Sequence, residues 1–276
     1  MDIKCIALDL DMTTLDRSGR LSEGNRQALE HAIARGVHII IASGRSFDSL
    51  PADVLAVPGI EYAITSNGAA VYHIPTRRRL TGYTLEPHSV REIMARTADL
   101  SLTYEALLDG VAYADAGYVS DPVAHGAAPR AIRYIQTTRH PEADIRGFIL
   151  AHCNHLDSLD LITGDPELKA RTEDLLRRTV PDIYVTSSVP QLIEISHRKA
   201  GKHSGVRFVA ELLGLSPAQV AAFGDGDNDA DMLITYVGCG IAVENATPAC
   251  RAAARYITSH HHQDGVARGI YDILHI

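Results

Sequence analysis

Apolar positions along the chain follow two rhythms. Short runs that are nearly all apolar, Ile3 to Leu10 and Val37 to Ser43 ("VHIIIAS"), predict parallel strands covered on both faces, and Glu61 to Gly68 ("EYAITSNG") predicts a third that ends in polar, glycine-containing sequence. Between the first two, Ala28, Leu29, Ala32 and Ile33 recur at helical spacing, with Ser22 placed to cap the helix and Gly36 to stop it. Strand, helix, strand in that order calls for a right-handed crossover and an open parallel sheet. The same grammar returns later. "KAGKHSGVRFVAELLGL" predicts a helix ending near Gly214, "VAAFGDGDND" a strand, "VGCGIAV" and "RYITS" two shorter strands around alanine-rich helix, and Val266 to Leu274 a last helix.

The stretch between these halves is written differently. From Gly82 to Ser187, hairpin signals alternate with helices: "LLDGVAYAD" turns at Asp109-Gly110, and "DPELKARTEDLLRRT" is capped by Asp165 and opened by Pro166. A stretch of about 100 residues suffices for a unit of its own. The expected organisation is α/β: a Rossmann-like, doubly wound parallel-sheet core made of residues 1–81 and 188–276, with an α+β cap domain, residues 82–187, inserted into it.

Composition narrows the partners. The 276 residues are 46% hydrophobic and 22% charged, as in a soluble globular protein, and a net charge of -8 disfavours nonspecific attraction to nucleic acid or anionic membranes while leaving small anions as substrates. No apolar run approaches the roughly 20 residues of a membrane helix, and "MDIKCIALDL" is a strand pattern without a basic leader, so a cytoplasmic protein is expected. Cys5, Cys153, Cys239 and Cys250 form no C-x-x-C pair and sit mostly in apolar surroundings, which reads as reduced core residues rather than zinc ligands or disulfides.

The chemistry sits at strand ends. In "IALDLDMTTLD", alternation along an extended segment projects Asp9 and Asp11 to the same side at the carboxyl edge, where open α/β sheets bind ligands. Two adjacent carboxylates repel unless a cation or a shared proton compensates. Asp225, Asp227, Asn228 and Asp229 end another apolar strand, and parallel packing brings such ends to one edge. Hard oxygen donors from two loops, without His or Cys beside them, suit Mg²⁺ carrying waters and a substrate phosphate. Calcium is the weaker reading, because "DGDNDADM" lacks the glycine and closing glutamate of a calcium loop. Taken singly these residues are ordinary: a D-x-D is most often a turn, Ser43 a cap, Lys202 a solvated helix face.

Taken together, "DLDMTTLD", "IIASGR", a lysine opening a helix at Lys202, and "GDGDNDADML" resemble, in order and context, the four motifs of the haloacid dehalogenase-like phosphatases. "TSNGA", "IAVENATP" and "DGVARGI" look like the Cof-type, sugar-phosphatase-like branch, whose larger cap is inserted between the second and third motifs. The resemblance implies a Mg²⁺-dependent phosphomonoester hydrolase acting on a small phosphorylated metabolite, such as a sugar phosphate, through an aspartyl-phosphate on Asp9. It makes Asp11 the general acid and base, and has Mg²⁺ held by Asp9, the Asp11 backbone carbonyl and Asp225, with Asp229 either a ligand or the partner of one. Ser43 and Lys202 would bind the transferring phosphoryl oxygens, with help from Asn228. Gly44, Arg45 and Asn67 follow the second and third strands at the same edge and would line the pocket, although Arg45 could equally pair with an acid. A sugar phosphomutase of the same architecture, or a phosphometabolite-binding protein without catalysis, are the alternatives.

Several residues stand apart from the pattern. Lys199 competes with Lys202 for the lysine role, and Lys202 is preferred because the family pattern places its lysine there; His203 follows it where glycine is common. Met12 stands where the family most often has glycine, which tolerates unusual backbone angles; retained activity with an altered pocket or cap contact is expected. Arg77 to Arg79 read as a solvated hairpin turn, and His260 to His262 as an exposed loop, with a transition-metal site as the alternative.

Overall fold

The apolar runs become the middle of a sheet. In a computed structural model describing residues 1–276, an 8-stranded sheet runs edge to edge as Tyr256–Ile257, Cys239–Ala242, Val220–Gly224, Cys5–Leu8, His38–Ala42, Ile60–Thr65, Ala70–His73 and Arg78–Gly82. Pairing is parallel from the first of these to Ile60–Thr65 and turns antiparallel where Ala70–His73 joins. The chain leaves Cys5–Leu8 toward His38–Ala42 on one side and later returns to Val220–Gly224 on the other, so the strand order reverses at Cys5–Leu8. That reversal is where doubly wound sheets place their ligands. Ile6, Leu8, Ile40, Ile41, Ile64 and Phe223 are buried, each burial stabilising the fold by roughly 1.5–3 kcal/mol.

Local signals act as the sequence predicts. The Ser22 side chain accepts a hydrogen bond from Asn25 N–H at the start of the helix Glu23–Ala34, and Gly36 takes the left-handed conformation just past its end, with φ 81°. The strand expected over "RYITS" is only Tyr256–Ile257. All four cysteines are free and buried. No helix is long and apolar enough to cross a membrane.

The chain divides into two compact units, one comprising Met1–Arg45, Leu50–Thr81 and Gly201–Ile276, the other Ser46–Ser49 and Gly82–Ala200. The second has its own 6-stranded sheet, in the order Ile183–Thr186, Leu192–His197, Leu156–Ile162, Thr103–Leu108, Val111–Asp115 and Arg139–Glu142. Helices Pro87–Arg96, Ile145–Ala151 and Pro166–Thr179 contribute Val90, Ile93, Ile149 and Leu176 to its apolar core. The Asp109-Gly110 turn has φ of 48° and 84°, the two positive values of a type I′ hairpin, and Asp165 caps Pro166–Thr179 through Glu167 and Leu168 N–H.

Two boundaries differ from the sequence reading. The expected junction at 187/188 falls inside the second unit, because Leu192–His197 pairs antiparallel with Leu156–Ile162 and belongs to that sheet. Residues 188–200 therefore leave the core. Ser46–Ser49 also group with the second unit, where Asp48 N–H donates to Gly110 O at 2.9 Å.

Candidate active site

The first strand ends at Leu8, in register with Phe223 and Ile41 of its neighbours. Asp9 N–H donates to Phe223 O at 3.0 Å, and Ser43 and Asp225 follow the flanking strands. One edge of the sheet therefore carries Asp9, Ser43 and Asp225 side by side. Lys202 opens the helix Lys202–Leu212. Its approach depends on bare backbone: a Cβ on Gly68 would lie 2.0 Å from Gly201 O, and only glycine permits that contact.

Lys202 is the hub. Its Nζ lies 2.6 Å from Asp9 Oδ1 and 2.6 Å from Asp229 Oδ1, and all three residues are buried. Asp229 Oδ2 accepts from Asp225 N–H at 3.0 Å and Gly226 N–H at 2.9 Å, which locks the loop carrying Asp225. Asp225 Oδ1 accepts from Thr13 Oγ1 at 3.1 Å. Asp9, Asp225 and Asp229 each offer a carboxylate oxygen within 4.8 Å of the others.

Charge is out of balance here. Three carboxylates share one ammonium, an excess of two negative charges in a buried setting. Burial, then the Asp229 carboxylate, pushes Asp9 up to about 7. Burial, then Asp9 and Asp229, pushes Asp225 up to about 9. For Lys202 burial favours the neutral amine, but Asp229 and Asp9 outweigh it and raise the group above the ordinary lysine range. The missing compensation matches a divalent cation, and the all-oxygen donor set suits a hard one.

The backbone is still extended at Asp9, with φ -66° and ψ 154°, and at Asp11, with φ -69° and ψ 126°, and it turns at Met12; the half-exposed Asp11 carboxylate is gripped by Arg45, Nε to Oδ2 at 2.8 Å and Nη2 to Oδ1 at 2.6 Å. Arg45 is thus paired with an acid, and that acid is itself one of the expected site residues. Within the turn, Met12 has φ 60° and ψ 8°, the left-handed conformation that favours glycine, and its carbonyl accepts from Asn245 Nδ2 at 2.9 Å.

The other expected residues divide. Ser43 is buried; its Oγ accepts from Arg45 N–H at 3.2 Å across Gly44, and its carbonyl accepts from Asn67 N–H. Asn67, at φ 52°, accepts from Asn228 Nδ2 at 2.9 Å. Lys199 lies apart, in the second unit, where its N–H donates to His197 Nδ1 at 3.1 Å. Arg77 and Arg78 are exposed. The histidine run departs from the exposed loop expected of it: His261 is buried, bonded through Nδ1 to Leu15 O at 2.8 Å.

Sequence reasoning missed the residues that shape the loop from behind. Thr14 Oγ1 donates to Asp9 O at 2.5 Å, Asn25 Nδ2 to Thr14 O at 2.9 Å, and Thr247 Oγ1 to Asp227 Oδ1 at 2.6 Å. Thr13 and Thr14 follow the paired acids across Met12 alone, which was a usable signal. Asn25 gave none, lying within a helix.

Comparison with known proteins fits this geometry. A family model described as haloacid dehalogenase-like hydrolase matches residues 6–270. The 5-amino-6-(5-phospho-D-ribitylamino)uracil phosphatase YwtE of Bacillus subtilis is 26% identical over 292 residues, covering 99% of this chain and 98% of that one. A haloacid dehalogenase-like hydrolase from B. subtilis superposes with a TM-score of 0.81 at 22% identity, over 98% of this chain and 100% of that one. A subclass IIB sugar phosphatase of the superfamily does so with a TM-score of 0.80 at 18% identity, over 99% and 100%. With the match running almost end to end and the acid-lysine cluster on the reversing edge of the sheet, the chain belongs to the haloacid dehalogenase-like hydrolases.

Proposed function

We propose that the protein is a Mg²⁺-dependent phosphatase of small phosphorylated metabolites, working through an aspartyl-phosphate on Asp9. The observation that carries this reading is the buried Asp9, held 2.6 Å from Lys202 and within reach of Asp225, in a cluster of three carboxylates around one ammonium. A carboxylate needs no base to act as a nucleophile, and Lys202 keeps Asp9 oriented at a fixed point. A divalent cation bound by Asp9 and Asp225 would neutralise charge between nucleophile and phosphate. Asp229 already spends one oxygen on Lys202 and the other on two backbone N–H groups. We therefore assign it to positioning Lys202 and the Asp225 loop.

In the first step an Asp9 oxygen bonds to phosphorus as the ester P–O bond breaks, and the leaving alkoxide takes a proton from Asp11. In the second step Asp11 removes a proton from water as that water bonds to phosphorus. The acyl-phosphate bond breaks, restoring Asp9 and releasing inorganic phosphate. Lys202 and Ser43 hold the phosphoryl oxygens, and preorganised donors of this kind supply most of the acceleration. Arg45 holds Asp11 in the resting protein, so engaging the substrate's phosphate would release Asp11 for proton transfer.

The relative that acts on a phosphorylated ribityl compound supports a sugar- or polyol-type phosphate as substrate, and the inserted unit is assigned its selection. A panel of phosphorylated metabolites, assayed for inorganic phosphate with Mg²⁺ and with EDTA, tests the reading. Turnover of some esters, abolished by EDTA, is expected. Turnover of none, or turnover indifferent to EDTA, would sink it.

A further inference from the structure

His260, His261 and His262 each place a ring nitrogen within 4.8 Å of the other two. The arrangement is built rather than a loose run of surface side chains. His261 is 1% exposed, its main-chain N–H donates to Asn245 Oδ1 at 3.0 Å, and its ring Nδ1 lies 2.8 Å from Leu15 O. A carbonyl can only accept, so Nδ1 carries the proton and the neutral ring keeps a lone pair on Nε2. That Nε2 is buried and has no hydrogen-bond partner, a costly condition for a polar atom unless something binds it. His260 Nδ1 and His262 Nδ1 approach one another. Two facing ring nitrogens require either a proton or a cation between them.

We propose that His260, His261 and His262 form a site for a transition-metal ion, separate from the acid cluster at the sheet edge. Three neutral imidazoles select borderline ions such as Zn²⁺, Ni²⁺, Co²⁺ or Cu²⁺, and they bind Mg²⁺ poorly. The bond from His261 Nδ1 to a backbone carbonyl is the outer contact that metal-bound histidines make, fixing tautomer and ring orientation. It also ties the site to the loop after the first strand: His261 contacts Leu15, and Asn245, which receives the His261 N–H, donates to Met12 O. Metal at the histidines would therefore stiffen the turn containing Met12 from behind. Exposed His262 leaves the remaining coordination positions open to water.

The test uses the tag-free chain, stripped of metal and then dialysed against Zn²⁺ in a large excess of Mg²⁺ to compete for the acid cluster. About one equivalent of retained Zn²⁺ per chain is expected, and Co²⁺ in its place should give a visible d–d absorption band. A His260→Ala/His262→Ala double variant, altered only outside the core, should bind Zn²⁺ at least roughly 10-fold more weakly and lose the Co²⁺ band. His261→Gln should weaken binding likewise. The proposal is overturned if the wild type retains no Zn²⁺, if the double variant retains it as well as the wild type, or if His261→Gln binds like the wild type. In that last case two surface histidines suffice and the binding is adventitious.

Discussion

Replacing Lys202 by methionine isolates the charge balance of the cluster. The volume is nearly kept, so the change removes an ammonium that lies 2.6 Å from two buried carboxylates and leaves Asp9, Asp225 and Asp229 together without a buried cation. Removing one member of a buried ion pair costs about 3–5 kcal/mol. In EDTA at neutral pH, urea unfolding followed by circular dichroism should show a loss of that size for the first unit. The loss should shrink toward pH 5, where Asp9, like Asp225, holds a proton and needs the ammonium less. It should also shrink in saturating Mg²⁺, since a cation bound to the native cluster stabilises it by mass action. Phosphatase turnover should fall by about 10²- to 10³-fold, the scale of losing one preorganised donor to the transferring group. Unfolding curves in EDTA that coincide with the wild type would refute the reasoning, as would turnover within tenfold of it.

Three further outcomes follow from the geometry. Asp9 and Asp225 have folded-state values near 7 and 9, above the unfolded carboxylate range, so the native state binds more protons than the unfolded one between about pH 4 and pH 9. Metal-free protein should lose stability as pH rises through that window and Mg²⁺ should flatten the slope; a rise in stability over the same range in EDTA would contradict it. Met12→Gly trades a left-handed strain of about 1–2 kcal/mol for a glycine cost of about 0.5–1 kcal/mol, so urea midpoints should show slight stabilisation; a clear loss would mean the methionine side chain is anchored by packing. Asp165→Ala removes the side chain that accepts from Glu167 and Leu168 N–H and should cost the second unit about 1 kcal/mol, read by denaturation or by faster amide exchange in Pro166–Thr179; unchanged exchange there would contradict the cap.

Much of this was legible because local physics wrote it. All-apolar runs, cap residues at Ser22 and Asp165, and the Asp109-Gly110 turn each act within a few residues. The acids and the lysine were readable because each lies just past a strand or at a helix start. What escaped depends on partners far along the chain. Leu192–His197 alternates like any edge strand, and only its pairing with Leu156–Ile162 assigns it to the second unit. That same register sets Glu105, Asp160 and Glu194 across from one another in three neighbouring strands, which no spacing reveals. The Arg45–Asp11 pair, 34 residues apart, and the burial of His261 against Leu15, 246 residues away, belong to the same class.

Asp9 as the nucleophile is the centre of the proposed mechanism, and the phosphoenzyme tests it most directly. Wild-type protein mixed with Mg²⁺ and a substrate it turns over, quenched in acid within the first turnovers and mapped by peptide mass spectrometry, should carry a phosphoryl group on Asp9. Asp9→Asn should stay folded, carry no such group and release no phosphate. A phosphoryl group on another residue, or an Asp9→Asn enzyme that still hydrolyses the ester, would contradict the central claim.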